Sequence, residues 1–120
     1  MKYKDFSEFP VWKKGFQLVL KVYQITKNFP PDERFGMTSD IRRSVNSIPH
    51  NIAEGFGREG TKDKCQFYKI SRGSAYELFS QMMVSHGLKY ISESDKNEII
   101  GECEKIIEEL NNIIQYLTKK

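Results

Sequence analysis

The sequence predicts a single all-α domain, an antiparallel four-helix bundle in up-down-up-down order. Apolar residues recur three or four positions apart in four long segments, and short connections containing proline, glycine or serine separate them. No segment shows the strict alternation of a strand, so nothing remains to build a sheet. The chain has 120 residues, enough for one core but hardly two, so residues 1–120 are expected to form one domain.

The first helix is predicted from Pro10 to about Asn28. Proline suits the first turn because its φ is already helical and its missing N–H is not needed there. Pro30 and Pro31 then end the helix. The predicted core stripe of this helix is Trp12, Phe16, Val19, Leu20 and Tyr23.

The second helix is predicted to begin around residues 38–40, which suit a helix amino terminus, and to end at Gly55 or Gly57. Pro49 lies inside it and removes one backbone hydrogen bond. The apolar stripe nevertheless keeps its phase across the proline: Ile41, Val45, Ile48, Ile52 and Phe56. We therefore predict one helix kinked at Pro49, with Asn51 bonding backbone groups that the kink frees.

The third helix is predicted from Thr61, acting as its cap, to about His86. Small residues, Gly73 and Ser74 among them, are expected to let another helix approach closely, since glycine costs helix stability. The predicted core stripe is Tyr68, Ser71, Ala75, Leu78, Phe79, Met82 and Met83.

The fourth helix is predicted from Ser92 or Ser94 to about Leu117. Its main seam alternates spacings of four and three: Ile99, Cys103, Ile106, Leu110, Ile113 and Leu117. A second seam lies one position along: Ile100, Ile107 and Ile114. Both seams are expected to face the internal core, with contact to another subunit as the alternative for one edge.

Composition points to a protein of the cytoplasm. Hydrophobic residues make up 38% of the chain and charged residues 29%, and no apolar run approaches the ~20 residues of a membrane span. Residues 1–8 are polar and unlike a signal peptide. Cys65 and Cys103 fall on apolar helix faces, so reduced packing thiols are expected rather than a disulfide.

Charge is distributed unevenly along the chain. Residues 1–72 hold 14 Lys and Arg against 8 Asp and Glu, which is 14 − 8 = +6, whereas residues 73–120 hold 5 against 8, which is 5 − 8 = −3. Such a distribution attracts polyanions or lets copies of the protein associate through opposite charges. Charge alone does not choose between these two.

No motif supports catalysis, a metal site or a cofactor. Gly55, Gly57 and Gly60 match the spacing of a dinucleotide-binding loop, but a helix rather than a strand precedes them, so residues 55–60 are expected to form a cap and turn. His50 and Glu54 lie four apart and are expected to be exposed and idle, since two ligands are not a metal site. No nucleophile has a recognisable base or cradle around it.

The carboxylate of Glu77 lies at the edge of an apolar stretch, where a partly buried charge needs a partner. Arg42 or Arg43 on the second helix is the predicted partner.

Basic residues on the first three helices are candidates for nucleic-acid binding, because lysine and arginine along one surface release counterions from phosphates. These candidates are Lys13, Lys14, Lys21, Arg42, Arg43, Arg58, Lys62, Lys64, Lys69 and Arg72. The alternative is an ordinary solvated surface.

The segment SIPHNIAEGFGR at residues 47–58, preceded by IRRS, resembles the signature of the 23S rRNA intervening-sequence proteins. WKKG in the first helix, ERFG before the second and FYKISRGSAYEL in the third also match. The likeness covers about residues 8–92 and includes the fourth helix only in pattern. The sequence departs from the signature at His50, where a small residue is expected.

The resemblance implies a bacterial four-helix bundle with no established enzymatic activity, assembled as a homopentamer around a central channel. A similar fold is expected in the accessory variability determinant proteins of diversity-generating retroelements, which are basic pentamers that bind nucleic acid and a reverse transcriptase. The acidic fourth helix of this chain argues against a uniformly basic pentamer.

Some signature residues have an architectural explanation: Pro49, Asn51, Glu54, Gly55, Gly57 and Glu77. The alternative is that Arg42, Arg43, Asn51 and Arg58 face an RNA or a neighbouring subunit.

The sequence thus favours a non-enzymatic, homo-oligomeric protein that binds RNA or DNA through phosphates. Reversing Arg42 and Arg43 to glutamate is expected to weaken binding without unfolding the bundle. The alternative is a protein-interaction module that recruits a polymerase, a reverse transcriptase or a ribosomal component.

Overall fold

The computed structural model describes residues 3–119, and all regular structure in this range is helical. Residues 1, 2 and 120 lie outside this range. Part of the segment 1–8, which was predicted to be unlike a signal peptide, therefore lies outside the described residues. Four long helices carry the fold: α1 Pro10–Thr26, α2 Met37–Gly57, α3 Thr61–Gly87 and α4 Glu93–Thr118. Short 3₁₀ helices, Phe6–Glu8 and Pro31–Glu33, precede α1 and α2.

The four helices close around one core. α1 packs on α2, α2 on α3, α3 on α4, and α4 on α1, within a body of 47 × 20 × 20 Å. The predicted four-helix bundle is therefore confirmed, while the up-down-up-down order stays a prediction. Within residues 3–119, no helix combines the length and apolar character that crossing a membrane requires.

The buried face of α1 differs from the predicted stripe. Phe16 is 41% exposed and Leu20 is 52% exposed, and the other three predicted residues are only partly buried. The buried residues are Val11, Gly15, Leu18, Val22 and Thr26. The prediction was wrong for Phe16 and Leu20, whereas Trp12, Val19 and Tyr23 pack against the edge of the core. Apolar periodicity did not reveal the fully buried positions because two of them, Gly15 and Thr26, are not apolar residues. α1 also ends at Thr26, two residues before the predicted end.

α1 approaches α2 most closely where Gly15 meets Pro49. A Cβ added to Gly15 would lie 3.3 Å from Ile48 Cγ2 and 3.3 Å from Pro49 Cβ, which is tighter than ordinary contact. Pro49 is buried and α2 continues through it without a break. The predicted single helix is confirmed, and Ile41, Val45, Ile48 and Ile52 of its predicted stripe are buried. Phe56, the last residue of that stripe, is only partly buried. The kink itself stays a prediction.

Two serine hydroxyls of α3 form hydrogen bonds with α2 beside the proline, and Asn51 forms one within α2. Ser71 Oγ donates to the Ile48 carbonyl at 2.9 Å, and the hydroxyls of Ser74 and Ser47 lie 2.8 Å apart. Asn51 Nδ2 donates to the Ser47 carbonyl at 2.9 Å. The carbonyl that loses its donor at a proline lies four residues earlier, so Asn51 bonds a different backbone group from the one predicted.

α2 ends at Gly57, so the connection to α3 is shorter than the predicted loop over residues 55–60. Gly55 lies inside α2, and a Cβ added there would meet Tyr68 Cε1 at 2.6 Å. A Cβ added to Gly57 would meet nothing within 4 Å. Gly55 is therefore required for the approach of the Tyr68 ring rather than for a turn, which corrects the prediction.

Two predicted helix caps are wrong. α2 begins at Met37 with Gly36 as its cap, and Glu33 Oε1 accepts a hydrogen bond from the Met37 N–H at 3.1 Å. The hydroxyl of Tyr90 donates to the same carboxylate, and these two hydrogen bonds lower the pKa of Glu33. α3 is capped by Gly60, and Thr61 is its first helical residue.

The buried face of α3 confirms most of its predicted stripe, namely Tyr68, Ser71, Ala75, Leu78 and Met82. Met83 is 56% exposed, so its assignment to the core was wrong. Gly73 faces open space, so it does not serve the predicted close approach, which falls on Ser71 and Ser74 instead. α3 ends at Gly87, one residue beyond the prediction.

α4 confirms its predicted start, because Ser92 Oγ accepts a hydrogen bond from the Asp95 N–H at 3.1 Å and the helix begins at Glu93. Both predicted seams contribute buried residues: Ile99, Cys103, Ile106, Ile107, Leu110 and Ile114. Near its end the buried position passes to Ile114, since Ile113 and Leu117 are only partly buried. Cys65 and Cys103 are both buried and unpaired, as predicted.

Replacing Gly55 with alanine should destabilise the fold, whereas the same change at Gly57 should not. The new Cβ of Gly55→Ala must displace the buried ring of Tyr68, and overpacking of this kind costs about 1–3 kcal/mol. Gly57→Ala is the matched control, with open space around it and a modest gain from helix propensity. Urea denaturation measures both, and equal stabilities would contradict the tight contact.

Stability should fall at alkaline pH because two buried acids resist ionisation. Burial, helped by Glu102 and Glu104, raises the pKa of the Cys103 thiol from 9.0 to about 12. Burial, helped by Cys65, raises the pKa of Tyr68 from 10.0 to about 12. Above about pH 9 the unfolded chain binds fewer protons than the folded one, so the free energy of unfolding declines towards pH 12. Urea titrations across this range should show the decline, and Cys103→Ala should make it shallower.

Candidate nucleic-acid interface

The ten basic residues predicted to bind nucleic acid have different roles in the structure. Some complete helix ends, some form ion pairs, and a few remain uncompensated. The role of each follows from the helix that carries it and from the groups within reach.

Arg42 connects α2 to the end of α1. Its Nε donates to Thr26 Oγ1 at 3.0 Å, and its NH2 group donates to the Tyr23 carbonyl at 3.3 Å. The guanidinium also lies 4.5 Å from the centroid of the Tyr23 ring, and Asn46 Nδ2 donates to the Tyr23 hydroxyl at 2.7 Å. A cation at a helix carboxyl end stabilises the last carbonyls, so Arg42 has a structural role.

Glu77 does not pair with Arg42 or Arg43, and that prediction is wrong. Its side chain is exposed on α3, while Arg43 pairs with Asp40 at 2.9 Å on the outer face of α2. Because water solvates this exposed carboxylate, Glu77 needs no buried partner.

Lys64 completes the end of α2. Its Nζ donates to the carbonyls of Gly55 at 3.2 Å and Phe56 at 2.9 Å. These carbonyls belong to the last turn of α2, where the helix dipole favours a positive charge. The ammonium group of Lys64 is therefore bound to backbone carbonyls of the protein itself.

Lys14 and Lys21 join α1 to the acidic helix α4. Lys14 Nζ lies 2.6 Å from Glu109 Oε1, and Lys21 Nζ lies 2.5 Å from Glu98 Oε2. All four side chains are at least partly exposed, so each pair contributes only about 0–1 kcal/mol. The pairs nevertheless neutralise the positive charge that α1 was predicted to offer to phosphates.

Arg58 pairs with Glu54 at 3.1 Å and stacks over the ring of Phe67 at 4.6 Å. Glu54 is therefore not idle, although both it and His50 are exposed as predicted. Among residues 3–119, no three His, Cys, Asp or Glu side chains come together in an arrangement that could hold a metal ion.

Lys13, Lys62 and Lys69 form no ion pair or side-chain hydrogen bond with any residue that the structure describes. Arg72 is held by a neutral group, because its NH1 donates to Asn111 Oδ1 at 2.7 Å. Lys13 is the one candidate lysine of α1 without such a partner among residues 3–119. Lys62, Lys69 and Arg72 follow one another along the first half of α3, and we call this set the α3 basic face.

The surroundings of the α3 basic face suit an extended anion. Lys62 and Lys69 lie seven residues apart, which is two helical turns, so their side chains project from the same side of α3. Both line a shallow groove between the start of α3 and the end of α4, together with Thr61, Cys65, Gln66, Leu117 and Thr118, and no carboxylate of residues 3–119 lines it. Phosphate oxygens can approach these ammonium and amide groups without displacing an internal partner.

Two exposed features were not predicted from the sequence. The first is the outer stripe of α1, where Trp12 stacks on Phe16 with ring centroids 5.3 Å apart and Leu20 continues the apolar surface. The second is Tyr76 on α3, which is 55% exposed. The first feature could have been found in the sequence. On a helical projection that places Val11, Leu18 and Val22 on the buried face, Phe16 and Leu20 fall on the exposed side.

The fold and the candidate interface define an all-α bundle whose described residues form no metal centre. The sequence profile of the 23S rRNA-intervening sequence proteins matches residues 7–112. The chain therefore belongs to the 23S rRNA intervening-sequence protein family, which confirms the resemblance seen in its sequence.

A solved structure gives the same result for the fold. It is a protein of unknown function from the S23 ribosomal protein family of Bacteroides thetaiotaomicron, with a TM-score of 0.79 and 23% sequence identity. The alignment covers 88% of this chain and 98% of that one. No curated protein matches the sequence.

Arg42→Ala should destabilise the bundle, whereas Arg43→Ala should be nearly neutral. Arg42→Ala removes two charge-assisted hydrogen bonds and a cation–π contact, which together are expected to cost about 1–3 kcal/mol. Arg43→Ala removes one exposed pair worth about 0–1 kcal/mol. Chemical denaturation distinguishes them. A neutral Arg42→Ala would restore the expectation that both arginines can be reversed without unfolding.

Proposed function

We propose that this protein is a non-enzymatic homo-oligomer that binds nucleic acid by contacting phosphates. The α3 basic face carries the proposal, because Lys62, Lys69 and Arg72 keep their positive charge uncompensated while six of the other seven candidate basic side chains are engaged internally. RNA and DNA both offer the phosphates that these residues recognise.

The length of the α3 basic face supports contact with several phosphates. Lys62 and Arg72 are ten residues apart, which is about 15 Å along a helix. Lysine and arginine side chains that reach phosphates position a protein on nucleic acid without reading its bases. We therefore infer binding that depends on charge and shape rather than on sequence.

Self-association is the second part of the proposal. The outer stripe of α1 exposes Phe16 and Leu20, an apolar surface that a subunit contact can bury. The family resemblance implies a pentamer, and five copies would repeat the α3 basic face and raise avidity for a long polyanion. A cytoplasmic location belongs to the proposal, since nucleic acid and reduced thiols occur together there.

Recruitment of a protein partner is a second candidate. A groove at one end of the bundle is lined chiefly by apolar side chains, including Phe56, Tyr68, Ile113 and Leu117. Such a groove can accept an apolar segment of a polymerase, a reverse transcriptase or a ribosomal component. Nucleic acid would then be bound only through that partner.

Removing two charges from the α3 basic face should weaken binding more than removing two charges from α1. We expect Lys62→Gln with Lys69→Gln to lower affinity and to reduce the slope of log affinity against log salt by about 1.4–1.8, since each phosphate contact contributes about 0.7–0.9. Lys14→Gln with Lys21→Gln is the matched control. It changes the same net charge at the same seven-residue spacing, but both of its lysines are paired with α4.

Affinity and its salt slope are measured by fluorescence anisotropy. The nuclease-treated protein is titrated into structured RNA and into duplex DNA at several salt concentrations. Absent binding at low salt, or binding that ignores salt, would refute the proposal. Equal effects of the two double variants would refute the assignment to α3. A protein partner that stays bound after nuclease treatment, together with absent direct binding, would support the second candidate.

A further inference from the structure

The ring of Tyr76 is exposed and has no partner in the part of the chain that the structure describes. It is 55% exposed, and among residues 3–119 it takes part in no ring pair, cation–π contact or hydrogen bond. Phe16 and Phe35 are exposed but do have such partners, Trp12 and the Arg34 guanidinium. Tyr116 on α4 is exposed and also takes part in no ring pair or cation–π contact among residues 3–119, but no basic face accompanies it as Lys69 and Arg72 accompany Tyr76. An unpartnered aromatic face in water is available for another π system.

Tyr76 continues the α3 basic face. It lies four residues after Arg72 and seven after Lys69, and residues at these spacings project from the same side of a helix. Gly73 lies between them with open space around it, so no side chain separates the ring from the two cations. Asn111 on α4 holds the Arg72 guanidinium by a 2.7 Å hydrogen bond, which fixes one cation one helical turn before Tyr76.

We propose that the α3 basic face together with Tyr76 is a binding site for single-stranded nucleic acid. One base stacks on the Tyr76 ring while Lys69 and Arg72 contact phosphates of the same strand. This inference rests on the proposed function and specifies the form of nucleic acid that the site takes.

Stacking decides between a single strand and a duplex. In a duplex each base is already stacked on its neighbours and paired, so its face is not available to a side chain on a helix surface. An unpaired base offers a π face, and alternating aromatic and basic side chains are the usual way in which proteins hold single strands without sequence preference.

Glu77 bounds the site on one side. Its exposed carboxylate follows Tyr76 directly and projects about 100° away around α3. The carboxylate repels phosphates from that side, so the strand is expected to run on the side of Arg72 and α4. The groove that Lys62 and Lys69 line between α3 and α4 lies in that direction.

The experiment compares a fluorescent single-stranded oligouridylate of about 12 nucleotides with a duplex RNA of equal length, within the usual range of site sizes. We expect Tyr76→Ala to lower affinity for the single strand roughly 5- to 150-fold, the range of one base stacked on an aromatic ring. Duplex affinity and the salt slope should not change, since no charge is removed.

Three further variants separate stacking from other effects. Tyr76→Phe keeps the ring and should retain affinity, whereas Tyr76→Leu keeps an apolar side chain without a π face and should lose it. Tyr116→Ala is the matched control, because Tyr116 is 73% exposed, lies on α4 and lines the apolar groove rather than the basic one. It should leave affinity unchanged.

The possible failures are distinguishable. If neither probe binds at low salt, the proposed function itself is refuted. If both probes bind and Tyr76→Ala changes neither affinity, or changes both equally, only the single-strand inference is refuted. Sedimentation of Tyr76→Ala is measured in parallel, and dissociation of the oligomer would overturn the inference by assigning Tyr76 to a subunit contact.

Discussion

Close packing of α2 against both of its neighbours is the constraint on which the other features depend. A side chain at Gly15 would crowd Ile48 and Pro49 of α2, and the ring of Tyr68 occupies the place where Gly55 would carry a Cβ. Ser71 adds a hydroxyl small enough to donate to the α2 backbone. Protein interiors are close-packed, so displacing any of these contacts shifts whole helices rather than single atoms. The residues that identify the family are therefore explained largely by packing.

The same packing decides which charges remain available. With α1 beside α4, the lysines of the basic half meet the carboxylates of the acidic half within one molecule. Arg42 and Lys64 complete the ends of α1 and α2, where carbonyl groups lack helical partners. Two of the predicted phosphate-binding lysines are thus neutralised by α4, and two further cations are bound to backbone carbonyls. Of the ten candidate residues, Lys62, Lys69 and Arg72 on α3 and Lys13 on α1 are left without an acidic or carbonyl partner among residues 3–119.

Aromatic residues follow a similar division between inside and outside. Phe29 and Tyr68 are buried where helices meet, whereas Trp12 and Phe16 stack on each other along the outside of α1. The exposed stripe offers apolar area for subunit contact, and Tyr76 offers a single ring next to cations. These two surfaces lie on different helices, so the proposed assembly and the proposed nucleic-acid binding need not compete for the same side chains.

The sequence by itself determined the helices, because periodicity and proline and glycine signals are local properties. The predicted start of α4 and its cap agree with the structure, and the apolar periodicity of α2 predicted that this helix continues through Pro49. Only the tertiary structure decided which face of α1 is inside. Gly15 belongs to the buried face because Ile48 and Pro49 of α2 pack against it, and not because glycine is hydrophobic. The tertiary structure also decided that Arg42 is structural while Lys69 is uncompensated, because pairing depends on groups distant in sequence that only the folded bundle brings together.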